Sequence, residues 1–198
     1  DDSLLSNLAD SGVTLAAERL RSMGEMNKAM RSLICCMVYL IAGPLWASAE
    51  YPPIGVELPV EQISAHAYYV RGMPGMATEN EGFVSNAGFV VTDEGVVVFD
   101  SLGTPSLAWA LRQKIREITD QPVVKVVVSH YHADHVYGLQ VFKDEGAEIL
   151  APRGAYDYLE SAAAAERLEE RRFSLDPWVN DNTRLVRPDR LIEREYLF

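Results

Sequence analysis

Apolar residues along this chain fall into short strand-like runs and then into a helical stripe. Val60 to Val70 is rich in β-branched and aromatic residues and predicts a strand. Arg71 to Glu81 holds Gly72, Pro74 and Gly75 and predicts a loop. Phe83 to Thr92 predicts a second strand, Asp93-Glu94-Gly95 a turn, and Val96 to Phe99 a third strand ending at Asp100. Together these predict a β-meander. Leu107, Leu111, Ile115 and Ile118 then recur at helical spacing and mark one apolar face. Thr104 suits the cap of that helix and Pro105 its first turn.

Val123 to Val128 is apolar at almost every position, as in a strand covered on both faces. A short helix around Val136 to Lys143 and a buried strand over Ala147 to Leu150 follow. Strand–helix–strand order implies a right-handed parallel crossover. Arg153 to Arg172 predicts one charged helix, and Asp176 to Asp189, with Pro177 and Pro188, a loop.

The segment from Met26 has a different character. Lys28 and Arg31 precede an apolar run from Leu33 to Trp46, and Ala47-Ser48-Ala49 supplies small residues at the cleavage positions. That is the layout of a secretory signal peptide, so residues 26–49 are expected to be one and the mature chain to be periplasmic or secreted. The run is short of the ~20 residues of a membrane span, so no stable membrane insertion is expected after cleavage. A signal peptide works at a true N-terminus. Residues 1–25 therefore read as a spurious upstream extension. Both ends of the chain read as cuts, with Tyr196-Leu197-Phe198 inside a strand-like stretch.

Composition narrows the chemistry. Hydrophobic residues make up 48% and charged residues 24%, an ordinary globular balance. A formal net charge of −11 disfavours nucleic acid as a partner and leaves a small-molecule substrate. The two cysteines, Cys35 and Cys36, lie in the apolar run, so a metal site in the rest of the chain must use His and carboxylate.

Such a cluster follows the run Val123 to Val128: His130-Tyr131-His132-Ala133-Asp134-His135 holds three of the four histidines. The carboxyl end of a strand is where α/β sites form. In an extended segment His130 and His132 point the same way and can reach one zinc ion. Asp134 and His135 come where the chain turns and can face a second ion beside it. Gly138 permits the close turn that follows. Zinc lowers the pKa of bound water to roughly 7, which gives a nucleophile at neutral pH.

Ser129 to His135 resembles the HxHxDH signature of the metallo-β-lactamase-fold hydrolases. Asn86-Ala87-Gly88-Phe89 and Gly95 to Ser101 resemble the first hairpins of that family. The resemblance implies an α/β fold, the N-terminal half of an αββα sandwich, over residues 50–198, truncated at its C-terminal end. It implies that His130 and His132 bind a first zinc and that Asp134 and His135 bind a second. Asp134 would also orient the attacking nucleophile, and Asp100 would buttress the metal loop rather than bind metal. The histidine at 135 is similar to that of the broad dizinc group of thioesterases, lactonases and one class of β-lactamases. The secretion signal is similar to that of zinc metallohydrolases found near quinoprotein relay systems.

The family pattern needs a later histidine, a bridging aspartate and a last histidine. No histidine follows His135. His66 reads as a packing residue of the first strand, and Asp157, Asp176, Asp181 and Asp189 as solvated or turn residues. The expected activity is therefore that of a zinc-dependent hydrolase acting on an ester, thioester, lactone or β-lactam, with the fragment itself inactive. An iron-dependent sulfur dioxygenase of the same fold and a non-catalytic periplasmic metal-binding accessory module stand as alternatives. The loops Gly72 to Asn80 and Asp176 to Asp189 could line an apolar groove with Met73, Met76 and Trp178.

Overall fold

A computed structural model of the chain describes residues 51–193. The expected signal peptide and upstream extension lie outside the described residues. Seven strands form one sheet in sequence order: β1 (Val60–Gln62), β2 (Ala67–Val70), β3 (Ala87–Thr92), β4 (Gly95–Phe99), β5 (Val123–Val127), β6 (Glu148–Pro152) and β7 (Arg190–Ile192). The first four are antiparallel, the expected meander. From β4 onward the pairing is parallel. Parallel neighbours need crossovers, and helices supply them. These are α1 (Pro105–Ile118), the short α2 (Ala133–Val136) and α3 (Leu139–Asp144), then α4 (Arg153–Leu159) and α5 (Ala162–Ser174).

One core sits between the sheet and the helices. Phe89, Val98, Val126 and Ile149 align across β3 to β6 and join Leu107, Leu111 and Ile115 of α1 and Leu139 and Phe142 of α3. Thr104 caps α1 as expected, its Oγ1 accepting from Leu107 N at 3.1 Å. The turn before β4 closes at Gly95, whose φ of 135° suits glycine.

Several boundaries differ from the sequence expectation. The strand over Val60 to Val70 is a hairpin, because Ser64 Oγ accepts from Ala67 N and turns the chain at 63–66. His66 therefore lies exposed in that turn, not in a strand, and its carbonyl accepts from Val91 N. Phe83 to Asn86 precede the second strand rather than join it. Their side chains make other bonds: Asn86 Oδ1 accepts from Gly72 N, and Ser85 Oγ donates to Asp134 O.

The segment expected as one helix over Arg153 to Arg172 is two. Ser161 starts α5 by accepting from Ala164 N, while its Oγ donates to Tyr158 O. β5 is less covered than expected: Val123 and Val126 are buried, whereas Val124, Lys125 and Val127 are half-buried. Lys125 keeps its ammonium near solvent, beside Glu148.

Candidate metal centre

Two strand ends build the site. β4 and β5 are parallel neighbours with Phe99 opposite Val127, so the loops that follow them emerge side by side. Asp100 leaves β4 and the histidine loop leaves β5. Asp100 N donates to Val127 O at 3.0 Å, and Ser101 N and Oγ both donate to His135 O, at 3.0 and 2.9 Å. Asp100 and Leu102 hold positive φ angles, 62° and 64°. For a buried leucine that conformation costs on the order of 1–3 kcal/mol. The surrounding bonds hold it, and the effect is to aim the Asp100 carboxylate across at the histidine loop.

The carboxylate is buried and met on both oxygens. Ser129 N donates to Oδ1 at 2.7 Å. Ser129 Oγ and His135 Nδ1 reach Oδ2 at 2.7 and 2.8 Å. Asp100 thus sits behind the loop and buttresses it. Close approach on the other side needs a glycine. A Cβ on Gly138 would stand 2.0 Å from Ser101 O and 2.5 Å from Ala108 Cβ.

The four candidate ligands come together. His130 Nε2 faces His132 Nδ1 at 3.1 Å, and the His130 and His135 rings lie 4.1 Å apart between centroids. His135 Nε2 stands 3.4 Å from Asp134 Oδ2. Two nitrogens on one tetrahedral zinc are separated by roughly 3.3 Å, given zinc–nitrogen bonds of about 2.0–2.1 Å. The His130–His132 pair fits that separation, with the nitrogen pairing Nε2 and Nδ1. Among the described residues, no three His, Cys, Asp or Glu side chains converge on one ion position. The candidate ligands therefore stand as two adjoining pairs, His130 with His132 and His135 with Asp134.

The electrostatics of the metal-free loop follow from this crowding. Burial, then the neighbouring His135 and His132, hold His130 below the ordinary imidazole value, which keeps its ring neutral and able to ligate. Burial lowers His135, but its hydrogen bonds to Asp100 and Asp134 outweigh that and raise it to about 9. The hydrogen bond from His135 holds Asp134 below the usual carboxylate range, so it is an anion at neutral pH.

Other sequence candidates lie elsewhere or in other roles. Met73 and Met76 are exposed in the loop before β3. Trp178 Nε1 donates to Pro53 O at 3.1 Å, so its polar end is engaged with the leading segment. Asp157, Asp176 and Asp181 are exposed. Asp189 is more than a turn residue. It donates its N–H to Ile149 O and accepts from Ile149 N, both at 2.8 Å, and pairs with Lys143 at 2.5 Å. It therefore docks β7 on β6. Sequence reading also passed over Ser85, Ser101 and Ser129, whose partners are far away in the chain. The only local signal was that Ser129 directly precedes the histidines.

Comparison with known proteins places these features in a family. A family model described as the metallo-beta-lactamase superfamily matches residues 80–195, more than half of the chain. Metallo-beta-lactamase IND-1 from Chryseobacterium indologenes is 27% identical over 73% of this chain, and the match spans 56% of that protein. A solved metallo-beta-lactamase from Pontibacter korlensis superposes with a TM-score of 0.52 at 19% identity, covering 72% of this chain and 55% of the other. A stereoselective inverting sec-alkylsulfatase from Pseudomonas sp. gives a TM-score of 0.48 at 24% identity, covering 69% of this chain and 25% of the other. The chain thus spans a little over half the length of the lactamases it matches.

Proposed function

Because this chain belongs to the metallo-β-lactamase superfamily, we propose that it contributes the first zinc-ligand loop of a hydrolase acting on a carbonyl substrate. The ester, thioester, lactone and β-lactam classes all fit that reading. The observation that carries it is the facing of His130 Nε2 and His132 Nδ1 at 3.1 Å. His130 and His132 would hold one zinc, and His135 with Asp134 a second. Bound zinc supplies Lewis-acid activation of water and of the carbonyl at neutral pH.

The protein side of the reaction is orientation. Asp134, anionic at neutral pH, accepts a hydrogen bond from the attacking water and turns its lone pair toward the carbonyl carbon. Asp100 holds His135 from behind, so the ring cannot swing when substrate arrives. The acidic chain, at −11, favours a small uncharged or weakly charged electrophile over a polyanion. The signal-like segment 26–49 makes the periplasm or the exterior the proposed place of action.

The test is metal analysis of the purified chain, followed by zinc titration and a panel of ester, thioester, lactone and β-lactam substrates. The same panel is run on the gene's full reading frame. Zinc uptake with hydrolysis of one class by the full frame supports the reading. Iron with sulfur-dependent oxygen uptake replaces it by the dioxygenase. Zinc uptake with no hydrolysis by the full frame replaces it by a metal-binding accessory module.

A further inference from the structure

Ser129 stands between the His130 imidazole and the Asp100 carboxylate behind it. It is exposed at the surface, yet each of its polar atoms on this side has a partner. Its N–H donates to Asp100 Oδ1 at 2.7 Å. Its Oγ lies 2.7 Å from Asp100 Oδ2 and 2.9 Å from His130 Nδ1. A hydroxyl has one proton, and a carboxylate only accepts. The Ser129 proton must therefore point at Asp100 Oδ2, since two acceptor oxygens would otherwise face each other at 2.7 Å. The Oγ has only lone pairs left for His130. It follows that His130 Nδ1 carries the proton and donates it to Ser129 Oγ.

That tautomer leaves Nε2 of His130 as an acceptor, and in the metal-free chain it accepts from His132 Nδ1–H at 3.1 Å. We infer that Ser129 is a positioning residue that sets His130 in the Nδ1–H tautomer and links it to Asp100, so that one carboxylate orients both His130 and His135. His135 reaches Asp100 Oδ2 directly at 2.8 Å, and His130 reaches the same oxygen through the serine hydroxyl. The chain thereby holds both rings by their Nδ1 atoms before any ion is bound. Orienting contacts of this kind typically carry 10–100-fold in metal affinity. The use of the device rests on the zinc reading above, but the tautomer itself is a property of the metal-free chain.

The experiment uses the whole chain, labelled with nitrogen-15 at histidine and stripped of metal, with long-range proton–nitrogen correlation at neutral pH. Only four histidines need assignment, and His66 in the β1–β2 turn is the internal control. The wild type is expected to show His130 as the Nδ1–H tautomer. Ser129→Ala is expected to shift His130 toward Nε2–H and to weaken zinc binding, read by a competing chelating dye, about tenfold. Ser129→Thr, which keeps the hydroxyl, is expected to restore both.

A wild-type His130 in the Nε2–H form overturns the inference without any variant. So does a Ser129→Ala chain whose His130 tautomer is unchanged, or a folded Ser129→Thr chain that restores neither readout. If His130 responds as stated but the wild type takes up no zinc, the metal reading falls and the role of Ser129 in the tautomer stands. If zinc binds normally and the tautomer ignores Ser129, the reverse holds.

Discussion

Asp100 Oδ2 and His135 Nδ1 meet at 2.8 Å across two loops that are 35 positions apart in the chain. The contact is returned through the main chain, since Ser101 donates to His135 O from both N and Oγ. A ring tied at its nitrogen and at its carbonyl has little freedom left. The end of β4 thus holds the loop that follows β5, and the histidine cluster is braced from a strand that contributes none of its members.

Asp100→Ala should therefore damage metal binding more than the loss of Ser129 alone. It removes the acceptor for Ser129 N, Ser129 Oγ and His135 Nδ1 together. We expect zinc affinity to fall by about 10–100-fold and stability by about 2–3 kcal/mol. Dye competition and urea unfolding read the two quantities. Wild-type zinc affinity in a folded Asp100→Ala chain would show that the loop orders itself without the brace.

Gly138→Ala places a methyl 2.0 Å from Ser101 O, which is backbone and cannot move aside cheaply. The expected cost is about 1–3 kcal/mol, with zinc binding weakened because the displaced carbonyl belongs to the residue that holds His135. Gly154→Ala is the control. Gly154 lies in α4 with nothing within 4 Å of its would-be Cβ, so alanine should stabilise by about 0.5–1 kcal/mol. Equal unfolding midpoints for the two variants would contradict the close approach.

Asp189 predicts a dependence on acid. Burial alone would raise its carboxyl, but the Ile149 N–H and Lys143 hold it below the usual carboxylate range. A depressed folded value means that the contribution is present above the unfolded value of about 3.9 and is lost as pH falls through the folded one. Asp189→Asn keeps an acceptor for Ile149 N–H and removes the charge. At pH 7 it should cost about 1 kcal/mol, a modest figure because the pair with Lys143 is partly exposed. At a pH below the folded value of Asp189 the variant and the wild type should unfold at nearly the same denaturant concentration. A gap that persists there would mean that the charge is not its source.

Zinc itself should stabilise the wild type. An ion that binds only the folded chain raises stability by about 2.7 kcal/mol at a concentration 100 times its Kd. His132→Ala, which removes one member of the facing pair, should cut that gain sharply while leaving metal-free stability within about 0.5 kcal/mol, because His132 is exposed. Thermal unfolding with and without zinc reads it. A zinc-induced rise of equal size in both proteins would place binding elsewhere.

What could be read in the sequence was what short-range physics decides. The apolar face of α1, its cap at Thr104, the turn at Gly95 and the cluster His130, His132, Asp134 and His135 after a strand all depend on residues a few positions apart. The meander and the parallel crossovers followed from the order of those patterns. Tertiary structure alone decided which distant groups meet. Asp189, still exposed, bonds Ile149 and Lys143 and so ties β7 to β6, and Asp100 reaches Ser129 and His135. These bonds join segments whose pairing depends on sheet register. Register is set by burying a whole strand face, so it cannot be read from any short stretch of the chain.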